Sequence, residues 1–147
     1  MKITFLLVAL ALYPCACTST PPLRPAVERH LEAVRNRNLE ALLPTLTGGS
    51  DLRMIIPGGF QYTTRAQYLD FHRQWFARND NGRFEPEIVH LLESPRLGHA
   101  LIRLRYRATA PTGAAQDVVS WLALTFALEN GGWHLVFDQS TLIQPSP

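Results

Sequence analysis

Hydrophobic residues recur with helical spacing through the first half of the chain. A segment that starts at Pro25, a residue favoured in the first turn of a helix, places Val27, Leu31 and Val34 on one stripe. Charged residues occupy the other side of the same segment. The pattern predicts an amphipathic helix whose stripe faces a hydrophobic core.

Capping signals predict two further helices. Asn38 precedes a short helix over residues 39–43, because an asparagine side chain can accept hydrogen bonds from the free amides of a first turn. Thr64 and Gln67 have the spacing of a capping box and predict a helix that runs to Arg78. One face of this third helix carries Tyr68, His72, Trp75 and Phe76.

Alternating hydrophobic and polar positions dominate the second half. They predict long strands over residues 84–93, 99–109 and 117–129, and a final strand that opens at Trp133 after a glycine turn. Two short strands, residues 52–56 and 60–62, precede the third helix. The strand over 117–129 is apolar on both faces, which predicts an interior position in the sheet.

The start of the chain has the pattern of an export signal. Its apolar run, residues 3–12, follows a basic residue and is too short to span a bilayer as a resident helix. We expect a leader over residues 1–17, a proline-rich tether over 18–25 and one domain over 26–143. Either Cys17 is lipidated, as in bacterial lipoproteins, or the leader is cut nearby in the ordinary way. Both alternatives predict an exported protein, periplasmic or lipid-anchored to the bacterial cell envelope.

Composition excludes several kinds of chemistry. Both cysteines, Cys15 and Cys17, lie in the leader, and Lys2 is the only lysine. The domain therefore lacks a thiol nucleophile, a disulfide framework and a Schiff-base lysine. The formal net charge of +2 does not indicate nucleic-acid binding. Because its histidines have no metal-ligand spacing, we expect neither a metal nor a cofactor.

Three segments resemble the nuclear transport factor 2-like (SnoaL-like) superfamily. They are residues 37–42 (RNLEAL), Gly59 with the capped helix that ends at Trp75 and Phe76, and residues 132–141 (GWHLVFDQST). The last segment is most similar to an uncharacterised, often exported bacterial branch of that superfamily. The resemblance implies an α+β fold in which a strongly curved antiparallel sheet packs against about three N-terminal helices and forms a cone.

A cone with a closed end implies a dry pocket, where a carboxylate can become a base near neutral pH. Asp138 is the candidate base. Simple strand alternation, however, groups Asp138 with His134, Val136 and Ser140, on the less apolar face of the final strand. That alternation predicts that Asp138 points away from the core.

Other candidates for catalysis are Tyr62 and Tyr106 as oxyanion donors and His72 as a pocket acid or base. A buried tyrosine or histidine that only satisfies its own hydrogen bonds is the alternative for each of them. Three aromatic side chains are expected to line a pocket: Trp75, Phe76 and Trp121.

The second long strand carries a row of three arginines, Arg103, Arg105 and Arg107, on its polar face. In relatives the outer sheet face often pairs two subunits, so the resemblance implies a homodimer. Opposed arginine rows would repel unless acidic residues such as Asp117 or Glu85 match them. The alternatives are a solvated face and an anion site.

Three functions remain open. The first is an exported domain that binds a small hydrophobic ligand or acts as an accessory, without catalysis. The second is a small-molecule isomerase, cyclase or dehydratase with Asp138 as its base. The third is a homo-oligomeric scaffold. Two polar donors converging on Asp138 in a cavity would favour the enzyme, whereas a cone filled by aromatic side chains would favour the scaffold.

Overall fold

Three helices cover one face of a six-stranded sheet in the computed structural model, which describes residues 20–78, 80–109 and 112–143. The predicted leader with Cys17 lies outside these residues. The helices are α1 (Arg24–Arg35), α2 (Leu39–Leu42) and α3 (Arg65–Phe76), and a 3-10 turn, Leu43–Thr45, extends α2. The strands are β1 (Arg53–Ile55), β2 (Gln61–Tyr62), β3 (Arg83–Glu93), β4 (Leu97–Thr109), β5 (Ala115–Glu129) and β6 (Gly132–Leu142).

The strand order is β2-β1-β6-β5-β4-β3. The predicted interior position of β5, between β6 and β4, is confirmed. All neighbours are antiparallel except β1 and β6, which run parallel, so the sheet is mixed rather than wholly antiparallel as predicted. The predicted α+β class, a curved sheet with three helices, is confirmed.

Both predicted caps form. Asn38 Oδ1 accepts from the amide of Ala41 at 3.0 Å, and Thr64 Oγ1 accepts from the amide of Gln67 at 3.2 Å. The Gln67 side chain accepts from the amide of Thr63 at 2.9 Å, one residue before the cap. The third helix ends at Phe76, two residues earlier than predicted.

The predicted tether overlaps the folded domain. Leu23 is fully buried, and Trp133 Nε1 donates to the carbonyl oxygen of Pro21 at 2.7 Å. A Cβ on Gly98 would lie 2.6 Å from Leu23 Cδ2, so β4 needs a glycine at this position. The boundary at residue 26 is therefore too late, because Leu23 packs under the sheet and α1 begins at Arg24.

The core lies between the helices and the concave face of the sheet. Residues of α1 and α3 pack there against inward side chains of β4, β5 and β6. No helix within the described part of the chain has the length and apolar character to cross a membrane.

Candidate functional site

A cavity of about 140 Å³ lies in the core between α1, α3 and the sheet. Apolar side chains form most of its wall, including Val34, Met54, Phe71, Leu104 and Leu122. Cavities near 150 Å³ with apolar walls hold molecules of about the size of benzene. The site therefore suits a small ligand.

Asp138 faces this cavity because β6 contains a β-bulge. Thr125 pairs with Phe137, but the next residue of β5, Phe126, pairs with Leu135, which leaves Val136 as an extra residue on β6. The extra residue reverses the alternation, so Leu135 and Asp138 both point inward. The prediction that Asp138 points away from the core is wrong for this reason, and only 7% of Asp138 is exposed.

Tyr68 is the hydrogen-bond partner of Asp138. The Tyr68 hydroxyl, on α3, donates to Asp138 Oδ2 at 3.4 Å. No cationic side chain of the described residues forms an ion pair with Asp138. Burial raises the pKa of Asp138 to about 7, although the hydrogen bond from Tyr68 works in the opposite direction. Burial and the nearby Asp138 carboxylate raise the pKa of Tyr68 well above its usual range.

His30 of α1 extends this network. Its Nε2 lies 3.5 Å from the Tyr68 hydroxyl oxygen, and its Nδ1 lies 2.9 Å from Thr45 Oγ1. Because the Thr45 hydroxyl donates to the Leu42 carbonyl oxygen at 2.7 Å, Thr45 accepts from His30, and the proton of His30 is on Nδ1. Burial, followed by the charge of His72, lowers the pKa of His30 to about 3, so this imidazole is neutral.

His72 stacks on Tyr68 with 4.2 Å between the ring centroids. Its Nδ1 donates to the Tyr68 carbonyl oxygen at 2.9 Å, which leaves Nε2 as an acceptor. Burial lowers the pKa of His72 to about 4, despite the opposite effect of the backbone hydrogen bond. The predicted acid–base candidate is thus a neutral imidazole in the cavity wall.

The predicted site residues divide into two groups. Asp138, His72 and Trp75 line the cavity. The other four predicted site residues do not line it: Tyr62, Phe76, Tyr106 and Trp121.

The four residues outside the cavity wall have other packing partners. Tyr62, on the edge strand β2, packs against Phe60 and Phe71. The Phe76 ring makes an edge contact with the His72 ring. Trp121 is 38% exposed on the outer face of β5, because inward positions of that strand belong to Ser120 and Leu122. Its predicted role in the pocket is therefore wrong.

Tyr106 belongs to a separate polar cluster beside the cavity. Its hydroxyl donates to Asp80 Oδ2 at 2.9 Å and accepts from Trp75 Nε1 at 3.3 Å. Arg37 donates to Asp80 Oδ1 at 2.6 Å and to the Arg78 carbonyl oxygen at 2.5 Å. Partial burial alone would raise the pKa of Asp80, but hydrogen bonds from Arg37, Gly82 and Tyr106 and the charge of Arg37 lower it to about 2.

His30 and Tyr68 are functional candidates that sequence reasoning missed. His30 lies three residues after Val27 and four before Val34, so a polar residue on the apolar stripe was the available signal. The helical spacing places Tyr68 on the same face as His72 and Trp75, but it gives no sign of a functional role. In the described ranges, no group of three or more His, Cys, Asp or Glu side chains could hold a metal ion.

Residues 23–143 match the SnoaL-like domain. The chain belongs to this family. No curated protein sequence matches it. The match covers most of the described fold and includes each residue of the cavity network.

Solved structures of similar fold share little sequence with this SnoaL-like domain. One, from Streptomyces avermitilis and provisionally described as a dehydratase of the NTF2-like family, has 15% identity and a TM-score of 0.73, over 84% of this chain and 95% of that chain. A ketosteroid isomerase-like protein from Erwinia carotovora atroseptica has 16% identity and a TM-score of 0.71, over 84% and 95%. An NTF2-like superfamily protein from Salmonella enterica serovar Typhimurium has 12% identity and a TM-score of 0.70, over 84% and 89%. These similarities show the fold.

Proposed function

We propose that the domain binds a small, neutral, mostly apolar molecule in the cavity and that Asp138 exchanges a proton with it. The observation that supports this most directly is a buried carboxyl group with a pKa near 7 in an apolar wall. A group with such a pKa is populated in both its acid and base forms at neutral pH, which is the condition that general acid–base catalysis needs. We assign a neutral ligand because the described residues of the cavity wall include no arginine to pair with an anion.

The reaction class we favour is that of a small-molecule isomerase or dehydratase. Asp138, Tyr68 and His30 converge inside the cavity, and the described aromatic side chains do not fill it. The names of two structural neighbours, a dehydratase and a ketosteroid isomerase-like protein, point in the same direction. Binding without turnover is the simpler function that the same cavity would serve.

Native mass spectrometry of protein purified from its own host tests the binding proposal. We expect a retained small molecule in the wild type and in Asp117→Asn, a matched control because Asp117 lies on the exposed outer face. Asp138→Asn should reduce retention. Equal retention by Asp138→Asn and the wild type would contradict a role for Asp138, and a wild type without any ligand would contradict the binding proposal.

We further propose that the protein is exported and attached to the cell envelope through a lipid on Cys17. The support is the basic start, the apolar run and the cysteine that follows it. Intact-mass measurement of the purified native protein should show an N-terminal diacylglyceryl cysteine at residue 17. A mature N-terminus without lipid would contradict the anchor, and a chain that retains residues 1–17 would contradict export.

A homodimer through the outer sheet face is also proposed. Arg105 pairs with Asp117 at 2.8 Å and Arg107 pairs with Glu85, so two of the three row arginines are neutralised within one subunit. Trp121 is exposed on the same face. Sedimentation equilibrium should give twice the subunit mass for the wild type and the subunit mass for Trp121→Glu. A monomeric wild type would contradict this proposal.

A further inference from the structure

The fixed hydrogen-bond donors in the cavity wall already have partners within the protein. The His30 Nδ1 proton is donated to Thr45, the His72 Nδ1 proton to the Tyr68 carbonyl oxygen, and the Trp75 Nε1 proton to Tyr106. The Ser140 hydroxyl donates to Ser120 Oγ at 3.3 Å. None of these protons is directed at a ligand.

Tyr68 carries one hydroxyl proton and has two neighbouring acceptors. When Asp138 is ionised, Tyr68 donates to Asp138 Oδ2 at 3.4 Å. When Asp138 holds a proton on Oδ2, the carboxyl donates to Tyr68, and Tyr68 donates to His30 Nε2 at 3.5 Å. The Tyr68 proton is therefore used within the network in both states.

Two acceptor atoms have no donor in either protonation state of Asp138. No described residue donates to Asp138 Oδ1 or to His72 Nε2. Within the described chain, the one polar side-chain atom that is both closed off from solvent and without a partner is Arg65 Nε. Asp138 Oδ1 and His72 Nε2 are therefore not closed off from solvent. Both side chains line the cavity, and both lie beside Tyr68.

We infer that the cavity takes a molecule that donates a hydrogen bond through a hydroxyl group, with Asp138 Oδ1 and His72 Nε2 as alternative acceptors, in preference to one that offers only a carbonyl oxygen. This inference rests on the proposed function, because it describes the ligand of the same cavity. A carbonyl ligand would require the Asp138 proton on Oδ1. Tyr68 could then donate to Asp138 Oδ2 or to His30 Nε2 but not to both, so the network would hold one hydrogen bond fewer than with the carboxyl proton on Oδ2, which is costly for buried groups.

The inference also separates the two reaction classes. An enolising isomerase stabilises a developing oxyanion with donors directed at the substrate oxygen. The described cavity wall keeps its fixed donors occupied and presents acceptors. An alcohol substrate, as a dehydratase would take, fits this arrangement better than a ketone.

Cyclohexanol and cyclohexanone are matched probes for the inference, because they have similar size and differ in the hydroxyl donor. Their dissociation constants can be measured by amide chemical-shift titration of the full domain. We expect wild-type protein to bind cyclohexanol about fivefold more tightly than cyclohexanone, as one buried hydrogen bond of ordinary strength would give. The control Arg35→Met, at an exposed position of α1 outside the cavity wall, should keep that ratio.

Two variants test the two acceptors separately. His72→Phe removes one of the two alternative acceptors and should reduce the preference by no more than about twofold, because Asp138 Oδ1 still accepts from the hydroxyl. Asp138→Asn replaces an acceptor with an amide donor and should shift the preference towards cyclohexanone. If wild-type protein binds both probes equally, or the ketone more tightly, the inference is wrong while the cavity remains a binding site. If neither probe binds, both the inference and the proposed function fail.

Discussion

Trp75 donates to the tyrosine of one tyrosine–aspartate pair and lines the same cavity as the other pair, and the carboxyl groups of the two pairs have opposite properties. In one, the Tyr106 hydroxyl donates to Asp80 at 2.9 Å, and in the other, the Tyr68 hydroxyl donates to Asp138 at 3.4 Å. The pKa of Asp80 is lowered to about 2, whereas the pKa of Asp138 is raised to about 7.

The surroundings of each carboxyl group, and not its tyrosine partner, cause the difference between the two pKa values. Asp80 lies near the surface with the Arg37 guanidinium at 2.6 Å and the Gly82 amide at 3.0 Å, which both favour the ionised form. Asp138 is buried among apolar residues and neutral histidines, which favours the protonated form. The same two residue types thus occur in two settings. Tyr106 and Asp80 belong to an ion-paired clamp between the α1–α2 turn and the α3–β3 loop, whereas Tyr68 and Asp138 form a carboxyl site that can gain or lose a proton at neutral pH.

Asp138→Asn should produce the largest change. Because the folded-state pKa of Asp138 is raised, folded protein holds a proton that unfolded protein has lost between about pH 4 and pH 7, and wild-type stability falls over that window from this group. Asparagine removes the effect. The free energy of unfolding of the variant, measured relative to that of wild type, should therefore increase by on the order of 4 kcal/mol from pH 4 to pH 8.

Urea unfolding of both proteins across this pH range gives the comparison. The difference between the two proteins is needed, because His30 and His72, whose pKa values are lowered on folding, change wild-type stability in the opposite sense below about pH 6.5. A difference that stays constant from pH 4 to pH 8 would mean that Asp138 is an ordinary carboxylate.

Arg37→Met should destabilise the clamp by about 2 kcal/mol at pH 7, because Asp80 would lose its charged partner while it stays mostly buried. The matched control is Arg35→Met, since Arg35 and Glu32 form an exposed pair at 2.7 Å that should contribute at most about 0.5 kcal/mol. Chemical denaturation of the two variants measures both effects. Equal losses of unfolding free energy in the two variants would show that the Arg37–Asp80 pair contributes no more than an exposed ion pair.

Asp80 should also change how the free energy of unfolding depends on pH under acidic conditions. Its folded pKa is lowered, so its contribution is present above about pH 4 and is lost as the pH falls towards 2. The difference in free energy of unfolding between wild type and Asp80→Asn should therefore decrease by about 1 kcal/mol from pH 5 to pH 2. This figure is smaller than the pKa shift alone would give, because solvent screens the charges at this site. A gap that widens on acidification would reverse the sign assigned to Asp80.

Tyr68→Phe should have the smallest effect, an upward shift in the pKa of Asp138 by less than about one unit, because one weak hydrogen bond to the ionised form is lost. Carbon-13 NMR titration of the Asp138 carboxyl group measures the shift. A downward shift would show that Tyr68 supports the protonated form instead.

The hydrophobic pattern was sufficient to predict the elements, and the resemblance to the nuclear transport factor 2-like superfamily implied the fold class. Strand spacing located β3 to β6 within about two residues, and both cap signals marked real helix starts. The parallel pairing of β1 with β6 could not be predicted, because alternation within a three-residue strand carries no information about the direction of its partner.

The candidate site was only partly predictable. Asp138 was named from its place in the last strand, but its orientation depends on the bulge at Val136, which has no glycine or proline to mark it. His30 and Tyr68 lie on predicted buried faces, yet only the packing of α1 and α3 brings them to Asp138. Sequence periodicity predicts which face of a helix or strand a residue occupies. It does not predict which residues of other elements pack against that face.

The central claim is that Asp138 is a carboxyl group that exchanges its proton near neutrality inside the cavity. Carbon-13 titration of the Asp138 carboxyl carbon in ligand-free wild type tests it most directly. The account predicts a midpoint near pH 7. A midpoint below about pH 5, in the ordinary range for an aspartate, would contradict it.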